Sequence, residues 1–115
     1  MPEKNLQNIC KKSLEDNKAE NILALDIEGI SSFADVIMIA TANSNRHAKS
    51  LADKLVESIK ASNKNILSVE GGVESGWILV DCGGVVVNIM KKDTREFYDL
   101  EGLWGENTLL NSINK

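Results

Sequence analysis

Apolar residues recur along this chain with two different periods, and the switches between them mark its elements. Leu6, Ile9, Cys10 and Leu14 repeat at helical spacing, while Lys4, Lys11, Lys12 and Glu15 fall largely elsewhere. That spacing predicts an amphipathic first helix with one buried stripe. NILALDI, from Asn21 to Ile27, is apolar almost throughout until Asp26 and reads as a strand; EGISSF is a turn region. DVIMIAT, Asp35 to Thr41, is a second strand whose unbroken apolar character predicts cover on both faces. The period then changes. Ala48, Leu51, Ala52, Leu55, Val56 and Ile59 form the clearest helical stripe in the sequence. Asn43, Ser44 or Asn45 can cap it, because a short side-chain oxygen accepts the orphan N–H groups of a first turn. SNKN ends this helix, ILSVEGG is a third, shorter strand, and Gly71, Gly72 and Gly76 punctuate the passage onward.

Two β-branched and aliphatic runs follow in WILVDCGGVVVNIM, Trp77 to Met90, separated by Asp81, Cys82, Gly83 and Gly84. They read as a hairpin with a tight, glycine-bearing connection. Alternation places Ile78, Val80, Val85, Val87 and Ile89 on an inner face and Trp77, Asp81 and Asn88 on the other, although a register error of one residue would exchange the faces. Beyond Met90, KKDTREFYDLEG suggests a turn or short helix, and residues 105–115 a loosely held tail behind a single domain of residues 1–104. The predicted fold class is α/β: a two-layer sandwich, with a mixed five-stranded sheet covered by the two long helices. The link from the second strand through the long helix to the third is long enough for a parallel crossover.

Length and composition narrow the function. With 115 residues, 43% apolar and 26% charged, the chain is one ordinary globular domain. No stretch approaches the roughly 20 unbroken apolar residues of a membrane span. MPEKNLQNICKK lacks both a signal core and the composition of a transit peptide, so the expected location is cytoplasmic, in a bacterium. The two cysteines, Cys10 and Cys82, are expected as reduced thiols, and with one histidine they match no zinc spacing. A net charge of −4 argues against wrapping nucleic acid, whose binders concentrate positive charge, but suits a basic protein partner.

Three places tempt an enzymatic reading. ATANSNRH combines a strand end with a helix start, where N–H groups could hold a phosphate, yet it lacks the glycines of a P-loop or dinucleotide fingerprint. Arg46 and His47 then belong to a solvated first turn. Asp26 and Glu28 form an acid-x-acid pair that could share magnesium with Asp35 or Asp81. That chemistry needs a phosphate cradle, and no glycine-serine loop supplies one. His47 paired with Cys10 or Cys82 as base and nucleophile has no local support. No cofactor and no metal are expected. Aromatic residues offer a different reading. Trp77, Tyr98 and Trp104 make up most of the large rings of an aromatic-poor chain, and such rings dominate protein interfaces. Asn88, inside VVVNIM, needs water or a partner.

ALDIEGISSFAD, IATANSNRHAKSLAD, VEG, GWILVDCGGVVVNIM and REFYDLEGLW, in this order and at these spacings, resemble the ribosomal silencing factors, the RsfS or Iojap family. The likeness covers nearly the whole chain. It implies a nucleotidyltransferase-like topology without the catalytic acids, and hence no enzyme. It implies binding to ribosomal protein L-fourteen on the large subunit, which blocks association with the small subunit and represses translation when nutrients are short. Direct readout of nucleic acid and membrane contact are not implied; a homodimer of the free protein is possible through the same apolar patch. The partner-binding positions that the resemblance implies are Trp77, Asp81, Gly83, Asn88, Met90, Arg95, Tyr98, Leu100 and Trp104. This chain departs from the family pattern at Gly84, where many members carry an acid, and at Asn88, where many carry a histidine. The alternative is a nucleotide-binding or nucleotidyl-transferring enzyme using Asp26 and Glu28.

Overall fold

A computed structural model describes residues 2–29, 32, 34–100, 102 and 109–112. The chain runs α1 (Pro2–Asp16), β1 (Glu20–Asp26), β2 (Val36–Ala42), α2 (Asn45–Ala61), β3 (Ser68–Gly72), β4 (Trp77–Asp81), β5 (Val85–Lys91), α3 (Lys92–Tyr98) and β6 (Leu109–Ser112), with one 3-10 turn at Val73–Ser75. The strands form one mixed sheet in the order β3-β4-β5-β2-β1-β6. β2 and β5 pair in parallel at its centre, from Val36 opposite Val85 to Ala42 opposite Lys91, and the other pairings are antiparallel. β3 therefore runs parallel to β2, with two strands between them, and α2 makes the expected crossover.

The α/β sheet with its two covering helices is as the periodicity predicts, with one addition. Leu109–Ser112, inside the stretch read as a tail, pairs with β1 as a sixth strand. Four residues are too few to show an alternation of their own; the open edge of β1 supplies the ladder that sequence does not reveal.

Ser44 caps α2: its hydroxyl accepts the His47 N–H at 3.0 Å. His47 Nδ1 in turn accepts the Asn43 N–H at 3.0 Å, and Nε2 meets the Asn17 carbonyl at 2.9 Å. One ring thus ties the end of α1 to the start of α2, which leaves no free imidazole for catalysis. The stripes of α1 (Leu6, Cys10, Leu14) and α2 (Ala48, Leu51, Ala52, Leu55, Ile59) are buried against one face of the sheet. That face presents Ile22, Ala24, Met38, Ala40, Ile78, Val80, Val85, Val87 and Ile89. The predicted inner face of the hairpin is therefore the true one. β2 is buried at every position, as an unbroken apolar run requires.

The opposite face carries a smaller cluster of Leu25, Ile27, Ala34, Ile37, Ile39, Val86 and Met90, edged by half-buried Trp77, Leu79 and Leu100. Among the described elements, α3 packs over the β5 and β2 side of the sheet, and the half near β3 and β4 stays open. That half defines the site.

Candidate functional site: an aromatic sheet face beside the hairpin

Alternation on β4 projects Trp77, Leu79 and Asp81 from the face away from α1 and α2, and β5 adds Val86, Asn88 and Met90 to the same side. Trp77 is half-buried. Its indole Nε1–H donates to Asn88 Oδ1 at 2.9 Å, and the Asn88 amide reaches the Met38 carbonyl at 3.4 Å. The polar residue in the apolar run thus orients the tryptophan. The outer surface of the indole meets Tyr98, with ring centroids 4.8 Å apart and planes tilted by 53°, and Phe97 stands edge-on to Tyr98 at 5.0 Å. Phe97 is 81% exposed and Tyr98 51%. Exposed rings of this size, held in one geometry by a helix and a strand, are characteristic of a contact surface rather than of a core.

Beside the rings lies a groove of about 260 Å³ lined by Glu70, Gly71, Ser75, Trp77, Leu79 and Tyr98. Gly71 has φ +88°, and a Cβ there would fall on the Trp77 carbonyl oxygen, so only glycine lets β3 approach β4 so closely. The Ser75 hydroxyl bridges the Gly72 and Trp77 carbonyls at 2.8 and 2.9 Å and fixes the turn that opens β4. On β3 it is Glu70, opposite Leu79, that lies on the ring side; Val69, opposite Val80, turns toward the helix-covered side.

The nine positions implied by the resemblance divide by burial. Trp77, Tyr98 and half-buried Leu100 surround or border the rings. Asp81 and Gly83 form the hairpin turn: Asp81 Oδ1 accepts the Gly83 N–H at 2.9 Å, and Gly83 has φ +90°. Asn88, Met90 and Arg95 are not outer contacts. Asn88 is 3% exposed, Met90 0% and Arg95 8%. Asn88 and Met90 follow the sheet's own alternation into the layer beneath Trp77 and α3. Arg95 Nη1 donates to the Asn21 carbonyl and to the Thr41 hydroxyl at 2.6 and 2.7 Å, which clamps α3 onto β1 and β2. These three hold the face in place from behind. Trp104 lies outside the described residues. Glu70, Leu79 and Phe97 were not singled out by sequence; Leu79 was accessible, since it shares the alternation of Trp77.

Of the acids considered for catalysis, Asp26 and Asp81 spend a carboxylate oxygen on a local backbone N–H. Asp26 Oδ1 accepts the Glu28 N–H at 3.0 Å, closing a turn, and both side chains are exposed. Asp35 sits where its N–H bonds the Gly84 carbonyl at 2.9 Å. Among the described residues no group of three or more His, Cys, Asp and Glu side chains is placed to hold a metal ion. Among them, too, no helix is long and apolar enough to cross a membrane.

Comparison with known proteins bears on the family and the fold. The sequence profile of the family described as "Ribosomal silencing factor during starvation" matches residues 2–115. The chain is 39% identical over 106 residues to ribosomal silencing factor RsfS of Bacillus subtilis, covering 92% of this chain and 90% of that one. It is 33% identical over 98 residues to an Iojap-related mitochondrial protein of Arabidopsis thaliana, covering 82% of this chain and 53% of the longer plant protein. Among solved structures, a Chromobacterium violaceum protein superposes with a TM-score of 0.87 at 31% identity, covering 98% of this chain and 97% of its own. A Bacillus halodurans protein gives 0.82 at 31% identity, covering 94% and 98%. Over its whole length, the chain belongs to the ribosomal silencing factor family.

Proposed function

We propose that this protein represses translation by occupancy: it binds ribosomal protein L-fourteen on the large ribosomal subunit and so blocks joining of the small one. The observation that carries the reading is the Trp77–Tyr98–Phe97 surface, half-open on a sheet face that α1 and α2 leave uncovered. Such a ring cluster supplies the desolvated centre that hot spots need, and Leu79 widens it. Glu70 at the groove and Asp81 at the turn offer carboxylates to a basic partner, consistent with a net charge of −4. No bond is made or broken in this mechanism. Asp26 accepts the Glu28 backbone N–H in a turn, and among the described residues no third acid, His or Cys joins the pair, so the nucleotidyl-transfer alternative has no metal cluster in its favour. Where bacterial ribosomes are the target, the protein acts in the cytoplasm. When no ribosome is present, a second copy can cover the same rings, and sedimentation at rising concentration reads that directly.

Binding assays with isolated L-fourteen and with naked ribosomal RNA test the reading. Binding to L-fourteen with a shallow salt dependence is expected, because many phosphate contacts would weaken affinity by orders of magnitude between low and physiological salt. Tight binding to RNA with none to L-fourteen would overturn it.

A further inference from the structure

The two cysteines are far apart in sequence and on different elements, yet the fold delivers both to one layer. Cys10 belongs to the buried stripe of α1 and is 0% exposed. Cys82 follows Ile78 and Val80 in the alternation of β4, so its side chain turns toward the helix-covered face, where it packs against the cluster that contains Cys10. Its backbone is fixed: the Cys82 N–H donates to the Val85 carbonyl at 2.9 Å and closes the β4–β5 turn. Both are free thiols. They differ in access, since Cys82 is half-buried and Cys10 is sealed.

We propose that Cys10 and Cys82 form a reversible thiol pair, in which Cys82 is the entry thiol and Cys10 the resolving one, and that oxidation cross-links α1 to the hairpin turn. The oxidant is a small disulfide. The Cys82 thiolate attacks one sulfur of that disulfide, expelling one small thiolate and leaving a mixed disulfide on Cys82. The Cys10 thiol gives up its proton to the expelled thiolate and attacks Cys82 Sγ, releasing the second small thiol. Two protein thiols are oxidised and one small disulfide is reduced to two thiols, so the step balances.

The roles follow from the surroundings. The neighbouring Cys10 thiol hydrogen-bonds Cys82 and lowers its pKa below the usual thiol value, against the opposing effects of burial and the Asp81 carboxylate. Cys10 is pushed far up, first by its hydrogen bond with Cys82 and then by burial, so it stays protonated until an adjacent electrophilic sulfur is present. The pair does not depend on the ribosomal partner.

The test uses the full reduced chain, oxidised glutathione as the probe, and intact-mass and free-thiol measurements. The unmodified sequence should lose two hydrogens in mass, retain no free thiol and form no intermolecular disulfide without reductant. Cys10→Ser, or Cys10→Ala where the serine variant folds poorly, should halt at one glutathione adduct on Cys82, and Cys82→Ser should remain unmodified while folded. The oxidised form should melt on the order of 10 °C above the reduced form, because the cross-link closes a long loop. A stable glutathione adduct on the unmodified sequence, a disulfide-linked dimer, retention of both thiols, or a lowered melting point after oxidation would each overturn the proposal.

Discussion

Replacing Asn88 with alanine isolates the polar contact beneath the ring surface. The side chain is 3% exposed, its Oδ1 is the acceptor for Trp77 Nε1–H at 2.9 Å, and its amide contact with Met38 is long at 3.4 Å. Truncation leaves a half-buried indole N–H without its acceptor, a loss of about 1–3 kcal/mol. The void adds little, because the removed atoms were polar and gained nothing from burial. We expect about 2 kcal/mol in total. At about 4 °C per kcal/mol for a domain of this length, the melting temperature falls by about 8 °C. Asn88→His should recover part of the loss near neutral pH, since a neutral imidazole nitrogen can accept the same bond. An imidazole buried there resists protonation, so its folded pKa lies below the unfolded value of about 6.5; the recovered stability is present above that pH and is lost as pH falls below it. Thermal melts, with the exchange rate of the Trp77 indole N–H read by NMR, measure both. A melting point unchanged within about 2 °C, with the indole N–H still protected, would refute the reasoning.

The remaining expectations are shorter. Arg95→Ala should cost about 3 kcal/mol or more, since two short hydrogen bonds from a buried charged group are lost, and hydrogen exchange should rise across Lys92–Tyr98; native-like protection there would contradict the clamp. Gly71→Ala should lower the unfolding free energy by about 1–3 kcal/mol in denaturant titration, because φ is +88° and the new methyl meets the Trp77 carbonyl; a neutral effect would show that β3 moves freely. Stability should decline above about pH 9 with a slope near 1.4 kcal/mol per pH unit, as the Cys10 thiol ionises only in the unfolded chain. Because the Cys10 hydrogen bond is what lowers Cys82, against burial and Asp81, the double variant Cys10→Ala, Cys82→Ala should abolish the slope.

What sequence reveals here depends on whether the signal is local. The α2 stripe and the inner face of the hairpin follow from periodicity, because each pattern repeats within one element, and the cap was narrowed to Asn43, Ser44 or Asn45, of which Ser44 serves. β6 does not: its ladder is defined by the edge of β1, far away in the chain. The site shows the same division. Trp77 and Tyr98 were legible as rare large rings, and they lie together on the surface. Arg95 and Asn88 read equally well as contacts, since a charged residue on a short helix is usually exposed and alternation reports a face rather than its depth. Only the tertiary fold shows Arg95 reaching back to Asn21 and Thr41. The Cys10–Cys82 proximity is equally non-local, because it needs the α1 stripe and the strand alternation to meet.

Subunit joining is the most direct test of occupancy by the ring face. Purified large and small subunits are mixed with the protein, and joined ribosomes are resolved by sedimentation. A double variant, Phe97→Ala and Tyr98→Ala, removes the two exposed rings while leaving Trp77, Asn88 and Arg95 in place. The protein should travel with the large subunit and prevent joining. The double variant should keep a near-normal melt yet lose roughly 2 kcal/mol or more of binding, about thirtyfold in affinity, and permit joining. Undiminished blocking by that folded variant, or unmodified protein travelling with the small subunit, would contradict the account.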